Sequence, residues 1–101
     1  MEEIKMKNIA ELDQLVAVET EDGFDIQMDG ETLVTVEQLT LSKIGQPRFK
    51  IINHVWQGLP RLDCTYRKIG GIQFVYWYAN ASKLAMLIMA TLLSSPWNGI
   101  E

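Results

Sequence analysis

Two kinds of hydrophobic pattern meet near residue 80 of this chain. The run Ile72-Gln73-Phe74-Val75-Tyr76-Trp77-Tyr78-Ala79 is rich in aromatic and β-branched residues and has the period of a strand. It passes without a long loop into a segment that is apolar almost all the way round, in which Leu84, Ile88 and Leu92 form one helical row with Ala81 and Ala85 on its flank. Asn80 stands where an N-cap belongs, and Ser95-Pro96 stops the helix because a residue before proline is kept out of the helical region. The pattern predicts a helix over residues 80–94.

Upstream, Asn8-Ile9-Ala10-Glu11 has the form of a capping box, and Ile9, Leu12 and Leu15 or Val16 share a helical face. A short helix near residues 8–15 is therefore predicted. Residues 16–20 and 24–28 alternate around Glu21-Asp22-Gly23 and predict a β-hairpin, followed by a tight turn at Asp29-Gly30. Leu33-Val34-Thr35-Val36 predicts a strand over 32–36, then a short helix or turn before the loop Gly45-Gln46-Pro47.

Residues 48–56, 61–68 and 72–78 are three strand-like runs, separated by Gln57-Gly58-Leu59-Pro60 and by Gly70-Gly71. They predict an antiparallel meander. The expected fold is α+β, a sheet of about five strands with the C-terminal helix on one face and the short N-terminal helix beside it.

Because a hairpin turn fixes the register, opposite residues can be assigned and sorted by face. His54 is expected opposite Asp63, Ile51 opposite Tyr66, Tyr66 opposite Val75 and Arg67 opposite Phe74. One face then collects Phe49, Ile51, Val55, Leu62, Cys64, Tyr66, Val75, Trp77 and Ala79, a core face. The other collects Lys50, Ile52, His54, Trp56, Arg61, Asp63, Thr65, Arg67, Phe74, Tyr76 and Tyr78.

Composition narrows the class. A chain of 101 residues with 48% hydrophobic and 22% charged residues is expected to fold as one domain, residues 1–101, far from the composition of disorder. Cys64 is the sole cysteine, which rules out an intramolecular disulfide and a four-cysteine zinc site and makes a reducing, cytoplasmic setting the expectation. The first eight residues lack the apolar run of a secretory signal. The continuous apolar part of the C-terminal run is about ten residues, half of what a bilayer needs, so no membrane span is expected. With no signal peptide, Asn80-Ala81-Ser82 is read as a cap and not as a glycosylation acceptor.

The net charge of −4 conceals a division. Residues 1–37 hold eleven acids against Lys5 and Lys7, a balance of −9, whereas residues 43–68 hold six bases against Asp63, a balance of +5. Unlike halves of this kind attract a charged partner or attract each other.

Catalytic motifs are absent: there is no phosphate-binding glycine loop, no nucleophile elbow and no histidine pair at metal spacing. Acid–base chemistry would rest on His54 with Asp63, since a carboxylate fixes an imidazole tautomer, and a metal on those two with Glu19 or Asp25. Cys64 is expected on the opposite face from His54, which separates nucleophile from base. No cofactor is expected.

The mixed face carries more. Lys50, Trp56, Arg61, Arg67, Phe74, Tyr76 and Tyr78 join cations to aromatic rings, the composition of a protein interface and also of a single-stranded nucleic-acid platform. The ribonucleoprotein signatures are missing and the chain is acidic, which favours a protein partner over nucleic acid. An alternative is that the acidic N-terminal hairpin folds over this face and closes the sheet. A helix apolar on all sides also calls for a cover, which either the N-terminal half of the chain or a second subunit supplies, and self-association as a homodimer is expected.

Overall fold

In the computed structural model, which describes residues 7–41, 43–55 and 58–94, strands pair with their chain neighbours until the Gln73 side chain redirects the last three. The elements are β1 (Asn8–Leu12), β2 (Leu15–Glu19), β3 (Gly23–Met28), β4 (Glu31–Gln38), β5 (Arg48–Asn53), β6 (Thr65–Ile69), β7 (Ile72–Tyr76) and α1 (Ala81–Leu93). All seven strands form one antiparallel sheet in the order β1-β2-β3-β4-β5-β7-β6. The class is α+β, with seven strands in place of about five. Among the described residues no helix is long and apolar enough to cross a membrane.

The turns explain the first four strands. Asp29 and Gly30 both take positive φ, 53° and 81°, as a two-residue hairpin matched to the strand twist requires, and Met28 pairs with Glu31. The expected hairpin around Glu21-Asp22 forms, and Gly23 is obligatory there. A Cβ at that position would lie 2.0 Å from the Val36 carbonyl oxygen.

The N-terminal helix is not present. Residues 8–12 are β1, joined to β2 by a two-residue turn in which Asp13 takes φ 58° and Leu12 pairs with Leu15. A register shift between Asn8 and Ala10 brings both Ile9 and Ala10 into contact with the core, so spacing that mimics a helical face is satisfied by a bulged strand. Ser82 of α1 donates to the Ile9 carbonyl at 3.0 Å. The capping box is a local signal, and pairing with β2 overrides it.

The expected 48–56/61–68 hairpin is likewise absent. β5 pairs with β7, Arg48 opposite Tyr76 through Ile52 opposite Ile72, and β6 lies outside β7 at the sheet edge. Asn53 ends β5: its side chain accepts from the Val55 amide at 3.0 Å and donates to the Val55 carbonyl at 3.2 Å. Residues 58–64 then cross the inner face, where Leu59 and Leu62 are buried in the core.

What holds them there is the buried Gln73. Its Nε2 donates to the carbonyls of Leu59 and Pro60, each at 3.1 Å, and its Oε1 accepts from the Leu62 amide at 3.1 Å and from Thr65 Oγ1 at 2.5 Å. Every hydrogen-bonding group of the amide is used, as a buried polar group requires.

The inner face supplies Phe24, Ile26, Val34, Val36, Phe49, Ile51 and Val75 to one core, against Leu84, Ala85, Ile88, Met89 and Leu92 of α1. The expected helical row of Leu84, Ile88 and Leu92 is fully buried, each side chain contributing ~1.5–3 kcal/mol of burial. Asn80 caps the helix, its Oδ1 accepting from the Lys83 amide at 3.0 Å. The helix ends at Leu93; Ser95-Pro96 lie outside the described residues. Its remaining side is open, with Lys83, Met86 and Ala90 exposed.

Replacing Gln73 by leucine leaves two carbonyls, one amide and one hydroxyl without a partner. Gln73→Leu is expected to lower the unfolding free energy by ~2–4 kcal/mol in urea titrations, whereas Lys68→Ala, exposed on β6, changes it by less than ~0.5 kcal/mol.

Candidate functional site

Since Phe49, Ile51, Gln73 and Val75 point inward, their neighbours must point outward, and the register lines them up in rows. One row runs Glu37, Lys50, Phe74, Arg67 from β4 to β6. A second runs Thr35, Ile52, Ile72, Ile69, and a third pairs Arg48 with Tyr76. Both α1 and residues 58–64 belong to the inner layer. Among the described residues no helix or strand packs on the outer face, in keeping with a molecule 20 Å thick, the depth of two layers.

Tyr66 joins this face by an irregularity. A register shift between Thr65 and Arg67 keeps Thr65 inside against Gln73 and sends both Tyr66 and Arg67 outward. This reverses the expected placement of Thr65 outside and Tyr66 in the core. Tyr66 stacks on Tyr76, centroids 4.2 Å apart with 25° between planes, and meets Phe74 at 6.4 Å in a tilted arrangement. Such pairs contribute ~0.5–1.5 kcal/mol beyond burial and hold the rings in place.

Arg48 anchors the margin. Its Nε donates to the Thr40 carbonyl at 3.1 Å and its Nη2 to Thr40 Oγ1 at 3.2 Å, tying down the loop before β5. Leu41, Lys43 and Ile44 of that loop form with Arg48 and Tyr76 a hollow of about 430 Å³. Ile44 is 83% exposed and Leu41 57%, unusual exposure for two large aliphatic side chains side by side.

Of the residues singled out in the sequence, Lys50, Arg67, Phe74 and Tyr76 come together on the outer face. Arg61 and Tyr78 do not. They border a separate cleft of about 440 Å³ between Leu87 and Thr91 of α1 and the turn before β6. There Tyr78 stacks on Trp77 with centroids 5.7 Å apart, and Arg61 Nη2 donates to the Thr65 carbonyl at 3.1 Å. Trp56 lies outside the described residues. The sequence left out Arg48, which two-residue alternation from Lys50 would have found, and Tyr66, which only the bulge reveals.

His54 and Asp63 do not face each other, because the hairpin that would have paired them is replaced by the crossing segment. His54 Nε2 instead lies 2.9 Å from Thr35 Oγ1 in an exposed setting, and Asp63 sits in the turn before β6. Among the described residues no three His, Cys, Asp or Glu side chains converge as metal ligands. Cys64 is half-buried. Burial pushes its thiol above the ordinary range, the Asp63 charge acts in the same direction, and a backbone hydrogen bond opposes them. A raised thiol stays protonated at neutral pH and is a poor nucleophile.

No protein-family model matches the chain, and no curated protein or solved structure matches it.

The Cys64 setting is open to measurement. Alkylation by iodoacetamide at pH 8 is expected to be several-fold slower in the folded protein than in urea-unfolded chain, the raised thiol supplying less thiolate; equal rates would contradict the buried setting.

Proposed function

We propose that this chain is a small non-enzymatic interaction protein whose working surface is the outer face of β5, β7 and β6, and that its partner is another protein, a second copy included. The observation that carries this is the ordered cluster of Tyr66, Phe74 and Tyr76 beside Arg48, Lys50 and Arg67 on a sheet face that no helix or strand covers among the described residues. Tyrosine and arginine are the residues that dominate binding energy at protein interfaces. Here they stand with Ile52, Ile69 and Ile72, an apolar ground that a partner would remove from water.

Single-stranded nucleic acid is the second reading, favoured by three rings set among cations. Two features weigh against it. Tyr66 and Tyr76 stack on each other and so occupy ring faces that bases would need. The same sheet also carries Asp25 and Glu37, and the whole chain is net −4, which opposes a long phosphate backbone.

The double variant Tyr76→Ala/Arg67→Glu is expected to lower association with the partner, self or other, at least tenfold while leaving the circular dichroism spectrum unchanged. Lys83→Glu on the exposed side of α1 serves as the control and should have no effect. Undiminished association in the double variant rejects the outer face as the working surface. Salt-dependent binding of a labelled oligonucleotide that Tyr76→Ala/Arg67→Glu abolishes would transfer the face to the nucleic-acid reading.

A further inference from the structure

We infer that the occupant of the outer face is a second copy of the chain, in a two-fold dimer with the sheets face to face and the axis parallel to the strands between β4 and β5. This rests on the outer face being the working surface. The sheet sorts charge across its width: Asp25 on β3 and Glu37 on β4 stand on one side of that line, Arg48 and Lys50 on β5 and Arg67 on β6 on the other.

A face with both signs on opposite sides of one line is self-complementary under rotation about that line. Rotation about an axis across the strands through the Lys50 row lays β5 on β5 and stacks Lys50 on Lys50. An axis along the strands through β7 also stacks cation on cation. Rotation about the line between β4 and β5 lays β4 on the partner's β5 and, because Glu37 and Lys50 share a row, sets Glu37 against the partner's Lys50 in both halves at once. The same operation lays Ile52 over the partner's Thr35. Aligned packing of two twisted sheets is the ordinary geometry for such faces.

The size is adequate. Strands ~4.8 Å apart, at ~3.3 Å per residue, give the overlapping part of this sheet a footprint of roughly 25 by 20 Å. Counted over both partners this is about 1,000 Å², the total that a specific interface has to reach. An isologous interface also closes on itself and leaves no face for further growth.

Sedimentation equilibrium on the full chain tests this. The wild type is expected to show twice the 11.5 kDa chain mass at micromolar concentration. Lys50→Glu and Glu37→Lys should each weaken the dimer at least tenfold, since each sets like charges against each other across the interface. Mixing the two variants in equal amounts should restore a heterodimer to within a few-fold of wild-type affinity.

Recovery on mixing is diagnostic. Within each variant chain positions 37 and 50 still carry like charges, so only pairing between chains can improve. A monomeric wild type, variants that dimerise as well as wild type, or a mixture that stays monomeric would each overturn the dimer. If the dimer fails while Tyr76→Ala/Arg67→Glu still abolishes capture of another protein, the outer face remains a working surface with a different occupant.

Discussion

The buried amide of Gln73 is the constraint on which the topology turns. A primary amide taken out of water must find partners for two donors and an acceptor, and the penalty for leaving one unmade is ~1–3 kcal/mol. In this fold the partners come from one short stretch, Leu59, Pro60, Leu62 and Thr65. Once that stretch is fixed to the inner face it cannot extend beside β5, so the vacated edge of β5 is taken by β7. β6, which follows the captured stretch, is left to pair on the far side of β7.

The outer face follows from the same constraint. With β7 central in its half of the sheet, Phe74 and Tyr76 are flanked on one side by Arg48 and Lys50 and on the other by Tyr66 and Arg67. In a simple meander β5 would have stood two strands away from Phe74, and the cations on β5 would not have bordered the rings. The bulge at Thr65 serves both layers. It lets Thr65 complete the Gln73 network inside while Tyr66 completes the aromatic cluster outside.

Local chemistry was legible in the sequence, and pairing beyond neighbouring strands was not. Asp29-Gly30 and Gly70 announce their turns because few other residues accept positive φ, and Asn80 announces the helix because its side chain is matched to a free amide. Leu62 was sorted correctly into the core and Val55 and Cys64 against it, although none of them lies in a strand, since hydrophobic burial requires a direction and not a particular backbone. The β1 strand was hidden because Ile9, Leu12 and Leu15 fit a helical face as well as a bulged strand. The placement of Lys50, Arg67, Phe74 and Tyr76 on the outer face is legible from alternation alone. Arg61 and Tyr78 were misplaced because both lie outside strands, where alternation carries no information.

Charge separation along the chain has a specific spatial outcome here. An acidic hairpin folded back over a basic sheet would neutralise both inside one molecule. This sheet instead places β3 and β4 beside β5, so among the described residues opposite charges on the outer face of neighbouring strands meet at the seam where Glu37 neighbours Lys50. Charges farther from the seam, Asp25 on one side and Arg67 on the other, are separated by several strand widths of ~4.8 Å, beyond the ~8 Å over which exposed charges interact at physiological salt. In the proposed dimer, a second copy laid across the seam would bring the acidic half of one face over the basic half of the other. Coulombic complementarity of this kind adds little raw affinity, but it penalises every other orientation. In the proposed dimer, that selection of orientation is what the separated charges would contribute.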